Sequence, residues 1–163
     1  MTENDVNSLL KNGCYSDRPL QGHIEETHIS WVILTKDYAF KIKKPLKLSF
    51  LDFSTLRKRK TYCDRELHLN RRFSQIYLDV LPVHRHNSSW TIGQGEGRIV
   101  EYVVVMKRLD QTKRMDKLLD KKKVSRNHIL ALARVIASFH LKTRAVKISF
   151  NCSQARGACN DIS

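Results

Sequence analysis

Tyr38-Ala39-Phe40-Lys41-Ile42-Lys43-Lys44-Pro45 alternates between two kinds of side chain. In an extended chain Tyr38, Phe40 and Ile42 point to one side, and Ala39, Lys41 and Lys43 to the other. The segment therefore reads as a strand with one apolar and one basic face, stopped at Lys44-Pro45. Upstream, Ile24 to Leu34 mixes β-branched and aromatic residues, and Lys36-Asp37 makes a tight turn. An antiparallel hairpin is expected there.

Downstream, Ser54 is placed to cap a helix running to about Phe73. Leu56, Cys63, Leu67 and Asn70 fall near one face of it, while Arg57, Lys58, Arg59, Lys60, Arg65, Arg71 and Arg72 are mostly solvated. Val80 to His86, Trp90 to Ile92 and Ile99 to Met106 read as further strands, with Gly93, Gly95 and Gly97 in the turn between the last two. A short helix over Met115 to Leu119 and a longer one from Ser125 to Lys142 follow, the latter carrying Ile129, Leu132, Ala133, Ile136 and Phe139 at helical spacing. The first twenty residues form a helix and turn, with Val6, Leu9 and Leu10 on one weak apolar face and a break at Asp17-Arg18-Pro19. The expected class is α+β: a five-stranded antiparallel sheet with one packed helix and a C-terminal helical extension. The expected divisions are a lobe over 1–110, a helical part over 111–143 and an irregular tail over 144–163.

Of the 163 residues, 30 are Lys or Arg and 16 are Asp or Glu, a net charge of +14. Such a surface favours phosphate-bearing partners. Only 6 Gly and 3 Pro exclude collagen-like and low-complexity classes. No apolar run approaches the roughly 18–20 residues of a membrane span, and Met1-Thr2-Glu3-Asn4-Asp5 has no signal-peptide pattern. The four cysteines contain no Cys-x-x-Cys pair, so they are expected as reduced thiols in a cytoplasmic chain without membrane contact.

The sharpest chemical constellation is a strand lysine, Lys41, followed by Glu66 on the next helix. ATP-using phosphotransferases need a cation on the α- and β-phosphates and an anion to hold that cation in place. Lys43 competes for the role, because alternation puts it on the same face. Lys41 is preferred, being deeper in the strand and preserving an Ala-x-Lys form.

Several blocks then fall in order: Glu26-Thr27-His28-Ile29-Ser30-Trp31-Val32, the lysine strand, Phe50-Leu51-Asp52-Phe53-Ser54-Thr55-Leu56, Glu66-Leu67-His68-Leu69-Asn70-Arg71-Arg72, Tyr77-Leu78-Asp79-Val80 and Glu101 to Leu109. Together, over roughly residues 22 to 142, they resemble the bacterial aminoglycoside-phosphotransferase-like proteins of protein-kinase-like fold, often joined to a C-terminal P-loop ATPase domain. The resemblance implies the N-terminal, ATP-binding lobe of a phosphotransferase. Lys41 is then the phosphate anchor and Glu66 its partner. Met106 to Leu109 is a hinge against the adenine, with backbone groups of Lys107 and Leu109 offered for hydrogen bonds.

The chain departs from that pattern twice. No Gly-x-Gly-x-x-Gly precedes Lys41; the corresponding turn, Glu25 to Ser30, leaves backbone amides and the hydroxyls of Thr27 or Ser30 as a phosphate cover. Nor is there a His-Gly-Asp or Asp-x-Asp motif, and Asp161 is the sole acid after Asp120. The expectation is a truncated kinase-like chain with weak ATP binding, no Mg²⁺ held by itself and no activity alone. Its tail is what a truncated or frame-shifted gene leaves. Leu130, Leu132, Ile136, Phe139 and Leu141 on the last helix are expected to lie uncovered, inviting a protein partner.

Other candidates are weaker. His84 and His86 share a strand face but lack a third metal ligand, since Cys63 and His68 are distant in sequence. Cys152 and Cys159 have no neighbour that would activate a thiol, and no Gly-x-Ser-x-Gly elbow occurs. Arg57-Lys58-Arg59-Lys60, Arg71-Arg72 and Lys121-Lys122-Lys123 support the alternative of a small basic protein binding nucleic acid or an acidic partner. Aromatics are 8% and do not interleave with these clusters, so salt-sensitive, nonspecific polyanion binding is the expected form.

Overall fold

A computed structural model of the chain describes residues 1–143 and 152–153. The irregular tail expected over 144–163 otherwise lies outside these residues. The chain divides into two compact units that part between Arg108 and Leu109.

The first unit is α+β. Helix α1 (Glu3–Asn12) starts at a capping box in which Thr2 and Asp5 satisfy each other's backbone N–H groups. Strands β1 (Gly13–Tyr15), β2 (Arg18–Pro19), β3 (Gly22–Glu26), β4 (Ser30–Thr35) and β5 (Tyr38–Lys43) follow. After helix α2 (Leu56–Arg71) come β6 (Tyr77–His86), β7 (Ser89–Ile92) and β8 (Arg98–Lys107). They form one sheet in the order β2-β1-β7-β6-β8-β5-β4-β3, antiparallel throughout except for the parallel β1–β7 pair.

The sheet therefore has eight strands where five were expected. The β1 and β2 strands are three and two residues long, too short to show alternation. Their two-residue turn puts Ser16 and Asp17 at positive φ without the glycine that usually announces one. The glycine signal does hold between β7 and β8. Gly97 takes φ +90°, and a Cβ there would lie 2.3 Å from the Arg85 carbonyl oxygen.

Alternation along β5 separates two layers. On one side Phe40 and Ile42 join Trp31, Ile33, Val103 and Val105 in a core closed by Val6 and Leu9 of α1. On the other side α2 packs against β8 and β6. The cap of α2 is Thr55, whose hydroxyl accepts from the Lys58 N–H at 3.2 Å. Ser54, the expected cap, instead donates its hydroxyl to Asp52 Oδ1 at 2.6 Å.

The buried residues of α2 are Arg59 and Cys63. Arg59, expected in solvent, hydrogen-bonds through Nε to both oxygens of the fully buried Glu101, at 2.8 and 3.0 Å. Its Nη1 donates to the Phe53 carbonyl at 2.9 Å. Burial pushes the Cys63 thiol up to about 12, which removes it from thiolate chemistry near neutral pH.

The second unit contains a 3₁₀ turn (Gln111–Lys113), α3 (Met115–Asp120) and α4 (Arg126–Lys142). Ser125 caps α4 with a capping box to His128. No residue of α4 is buried, and Ile129, Leu130, Leu132, Val135, Ile136 and Leu141 are exposed. Phe139 is half-buried and edge-on to His140. Among the described residues no helix is long and apolar enough to cross a membrane.

Candidate functional site

β5 lies near the middle of the sheet, hydrogen-bonded to β4 and β8, so its backbone is held on both sides. Lys41 sits opposite Val32 and Val104, and Lys43 opposite Ser30. Both lysines project from the face that α2 covers, and both meet the same carboxylate. Lys41 Nζ is 2.8 Å from Glu66 Oε1, and Lys43 Nζ is 2.6 Å from Glu66 Oε2. The strand–helix contact expected from the sequence is present, with a second ammonium added.

The three side chains differ in access. Lys41 is 27% exposed, Glu66 13% and Lys43 5%. Lys43 Nζ also lies 5.0 Å from the centre of the Phe53 ring, a cation–π contact in a desolvated position. Burial works to raise the Glu66 pKa, but hydrogen bonds and charge from Lys41 and Lys43 outweigh it and hold the carboxyl below its ordinary value. The sign of the linkage follows. Glu66 contributes stability above its unfolded pKa, and that contribution is lost as pH falls through the lower folded value. Urea midpoints are expected to drop below about pH 4.5, with a shallower slope in Glu66→Gln; equal slopes would refute this.

The turn that was to cover a phosphate is occupied with its own closure. Thr27 Oγ1 accepts from the Ser30 N–H and donates to the Ser30 carbonyl, both at 3.0 Å. Ser30 is fully buried, and its Oγ has no hydrogen-bond partner among the described residues. The Ser30 hydroxyl is thus withdrawn from solvent, and the hydroxyl of the exposed Thr27 is already engaged in the turn's own hydrogen bonds.

At the expected hinge, Met106 is paired on both sides, with Ala39 and Tyr77. The Lys107 N–H donates to the Ile76 carbonyl at 2.8 Å, and the Arg108 N–H to the Asp37 carbonyl at 2.8 Å. The Lys107 amide, one of the backbone groups expected to be on offer there, is thus engaged within the sheet. Leu109 is exposed and begins the second unit.

The basic clusters are partly neutralised. Lys58 pairs with Asp52 at 2.5 Å, Arg59 with Glu101, and Lys60 with Asp64 at 2.7 Å. Arg71 donates to the Tyr77 and Leu78 carbonyls. His86 lies 3.8 Å from Glu96 and His84 3.4 Å from the Gly97 carbonyl. Among the described residues no three His, Cys, Asp or Glu side chains gather as a metal site. Cys152 is a free, exposed thiol, and Cys159 and Asp161 lie outside the described residues. A cavity of about 610 Å³, lined by Tyr15, Arg18, Leu20, Lys36, Tyr38 and Phe40, belongs to the opposite face of β5 from Lys41. It is separate from the ion-pair site.

Sequence reasoning placed Lys41 and Glu66 but missed that Lys43 shares the carboxylate. The signal was the i, i+2 spacing of two lysines on one strand face. Arg59 and Glu101 were missed because a charge inside a basic run reads as solvated, and nothing local marks a buried partner 42 residues away.

Over 122 residues the chain is 34% identical to proteins from Mycobacterium bovis and from two strains of Mycobacterium tuberculosis that are described as uncharacterized. The matched segment is 74% of this chain and 23% of those relatives, so the chain spans under a quarter of their length. No family profile and no solved structure matches the chain.

Proposed function

We propose that residues 1–108 are the ATP-binding lobe of a kinase-like phosphotransferase of the aminoglycoside-phosphotransferase-like kind. The observation that carries this reading is the Lys41–Glu66 contact at 2.8 Å between a central strand and the helix packed on it. The run β3-β4-β5-β8-β6 within the sheet supports it, because α2 is inserted between β5 and β6 and so lies over the lysine.

In this reading the Lys41 ammonium neutralises the α- and β-phosphates, and Glu66 keeps that ammonium from wandering into solvent. Within this unit the Met106–Arg108 backbone borders the adenine, with the Lys107 amide excluded because it already serves Ile76. No acidic cluster among the described residues fits Mg²⁺, so no step of the chemistry is assigned to a metal on this chain. Positioning and charge stabilisation make up most of phosphoryl-transfer catalysis. A chain that binds the nucleotide without an acceptor-orienting aspartate holds ATP but does not transfer its phosphoryl group.

Titration with a fluorescent ATP analogue tests the proposal. Binding is expected to be weak, to fall about tenfold or more in Lys41→Ala, and to persist in Lys121→Ala, the loss matching one charge-assisted contact. No turnover is expected with Mg·ATP and aminoglycoside or other hydroxyl acceptors. Polyanion binding that falls steeply with salt and ignores Lys41 would overturn the proposal in favour of a basic binding protein. Turnover within a few logs of a complete kinase would overturn the claim of inactivity.

A further inference from the structure

We propose that Lys43 is a positioning residue: it holds the Glu66 carboxylate in place so that Lys41 can be released toward a nucleotide phosphate. This rests on the nucleotide-binding reading above and adds a division of labour between two lysines that contact one carboxylate.

The argument is electrostatic. A lysine that reaches for a phosphate must loosen its grip on its own counter-ion. With a single partner, that move leaves a carboxylate uncompensated in a largely desolvated position, which is costly. Glu66 is only 13% exposed, so the cost applies here. The structure supplies a remedy, because the two oxygens of Glu66 are taken by different ammoniums, Oε1 by Lys41 and Oε2 by Lys43. When Lys41 leaves Oε1, Oε2 remains paired at 2.6 Å.

Access decides which lysine does which task. Lys43 is 5% exposed and lies against the Phe53 ring, so it has no open path to a ligand. Lys41 is 27% exposed. The backbone N–H of Lys44, next in the chain, donates to the Ile29 carbonyl at 2.9 Å, which fixes the end of β5 and the base of the Lys43 side chain. The Asn70 side chain donates to the Glu66 carbonyl at 2.9 Å and steadies the helix turn that presents the carboxylate. Lys43 and Glu66 together form a fixed mount, and Lys41 is its movable arm.

A counter-intuitive result follows. Removing Lys43 deletes no ligand contact, yet it leaves Glu66 dependent on Lys41 alone, so Lys41 is held more tightly and becomes less available. The experiment reads this first without nucleotide. The full chain is treated with an amine-reactive reagent, and modification of Lys41 is followed by mass spectrometry across pH. Lys41 modification is expected to slow about tenfold in Lys43→Met, the scale of one strengthened charge-assisted hydrogen bond, and to recover in Lys43→Met/Glu66→Gln. Lys43→Arg is expected to behave as wild type. Lys43→Gln replaces Lys43→Met should the latter fail to fold, as judged by circular dichroism.

ATP-analogue binding is the second readout. Lys43→Met is expected to weaken it about tenfold, and that loss is expected to vanish in a Glu66→Gln background, because Lys43 acts only through the carboxylate. Lys41 reactivity unchanged in Lys43→Met, or Lys43 modified faster than Lys41 in the wild type, would overturn the division of labour. So would a Lys43 effect on binding that persists in Glu66→Gln, which would make Lys43 a direct contact. Failure of the analogue to bind the wild type would instead overturn the nucleotide reading, while the labelling result stands by itself.

Discussion

Glu101→Ala is expected to cost about 3–5 kcal/mol of folding stability, the usual consequence of leaving one partner of a buried ion pair uncompensated. Glu101 is fully inaccessible and Arg59 nearly so, and the guanidinium is bound to both carboxylate oxygens at 2.8 and 3.0 Å. Removing the carboxylate strands the cation between α2 and β8, with the Phe53 carbonyl as its one remaining acceptor among the described residues. Since a small domain has about 5–15 kcal/mol in total, the loss is a large part of the whole. The double change Arg59→Met/Glu101→Leu is expected to recover most of it, because an apolar pair of similar volume needs no desolvated charge. Urea denaturation of the three variants checks this. A Glu101→Ala loss below about 1 kcal/mol would show that water reaches the pair.

Phe40→Ala is expected to cost about as much, roughly 3–5 kcal/mol, by a different route. Phe40 is fully buried, stands opposite Ile33 and Val105 across the ladders, and meets Tyr15 edge-on at 5.1 Å. Truncation opens a cavity in the layer between the sheet and α1. The variant is nonetheless expected to bind the ATP analogue well below its melting temperature, because Lys41 leaves the strand on the other face. Lys41→Ala is expected to show the converse, near-normal melting with lost binding. If Phe40→Ala abolished binding while still folded, the two faces of β5 would be coupled, and the separation of core from site would fail.

How legible this was in the sequence depended on range. The β4–β5 hairpin, the Lys41–Lys43 face and the capped start of α4 at Ser125 are local patterns, carried by alternation or by a cap and its third residue. The α2 cap moved by one residue, from Ser54 to Thr55, because Asp52 captures the serine hydroxyl, a competition between two equally plausible caps. The edge of the sheet was illegible for a plainer reason. Cys14 pairs with Thr91 and Pro19 with Cys14, and no periodicity can appear in strands of three and two residues. Within the site, Lys41 and Glu66 were found by type and order, whereas the sharing of Glu66 by Lys43 depends on how α2 is rotated over the sheet. The closure of the Thr27 turn upon itself likewise depends on side-chain geometry that a sequence pattern does not contain.

The parallel β1–β7 pair has a consequence for how the chain reaches this form. The segment Gly13–Tyr15 is made well before its ladder partner Trp90–Ile92. Hairpins β3–β4 and β4–β5 close over a few residues, while β1 must await a neighbour 77 positions away, and long-range pairings form slowly. Until then Val6 and Leu9 have no layer to enter, and Trp31, Ile33 and Phe40 have no lid. The β1 strand, with Val6 and Leu9 beside it, is therefore seated only once β7 has formed, and in that interval the apolar face of the β4–β5 hairpin stands open to aggregation.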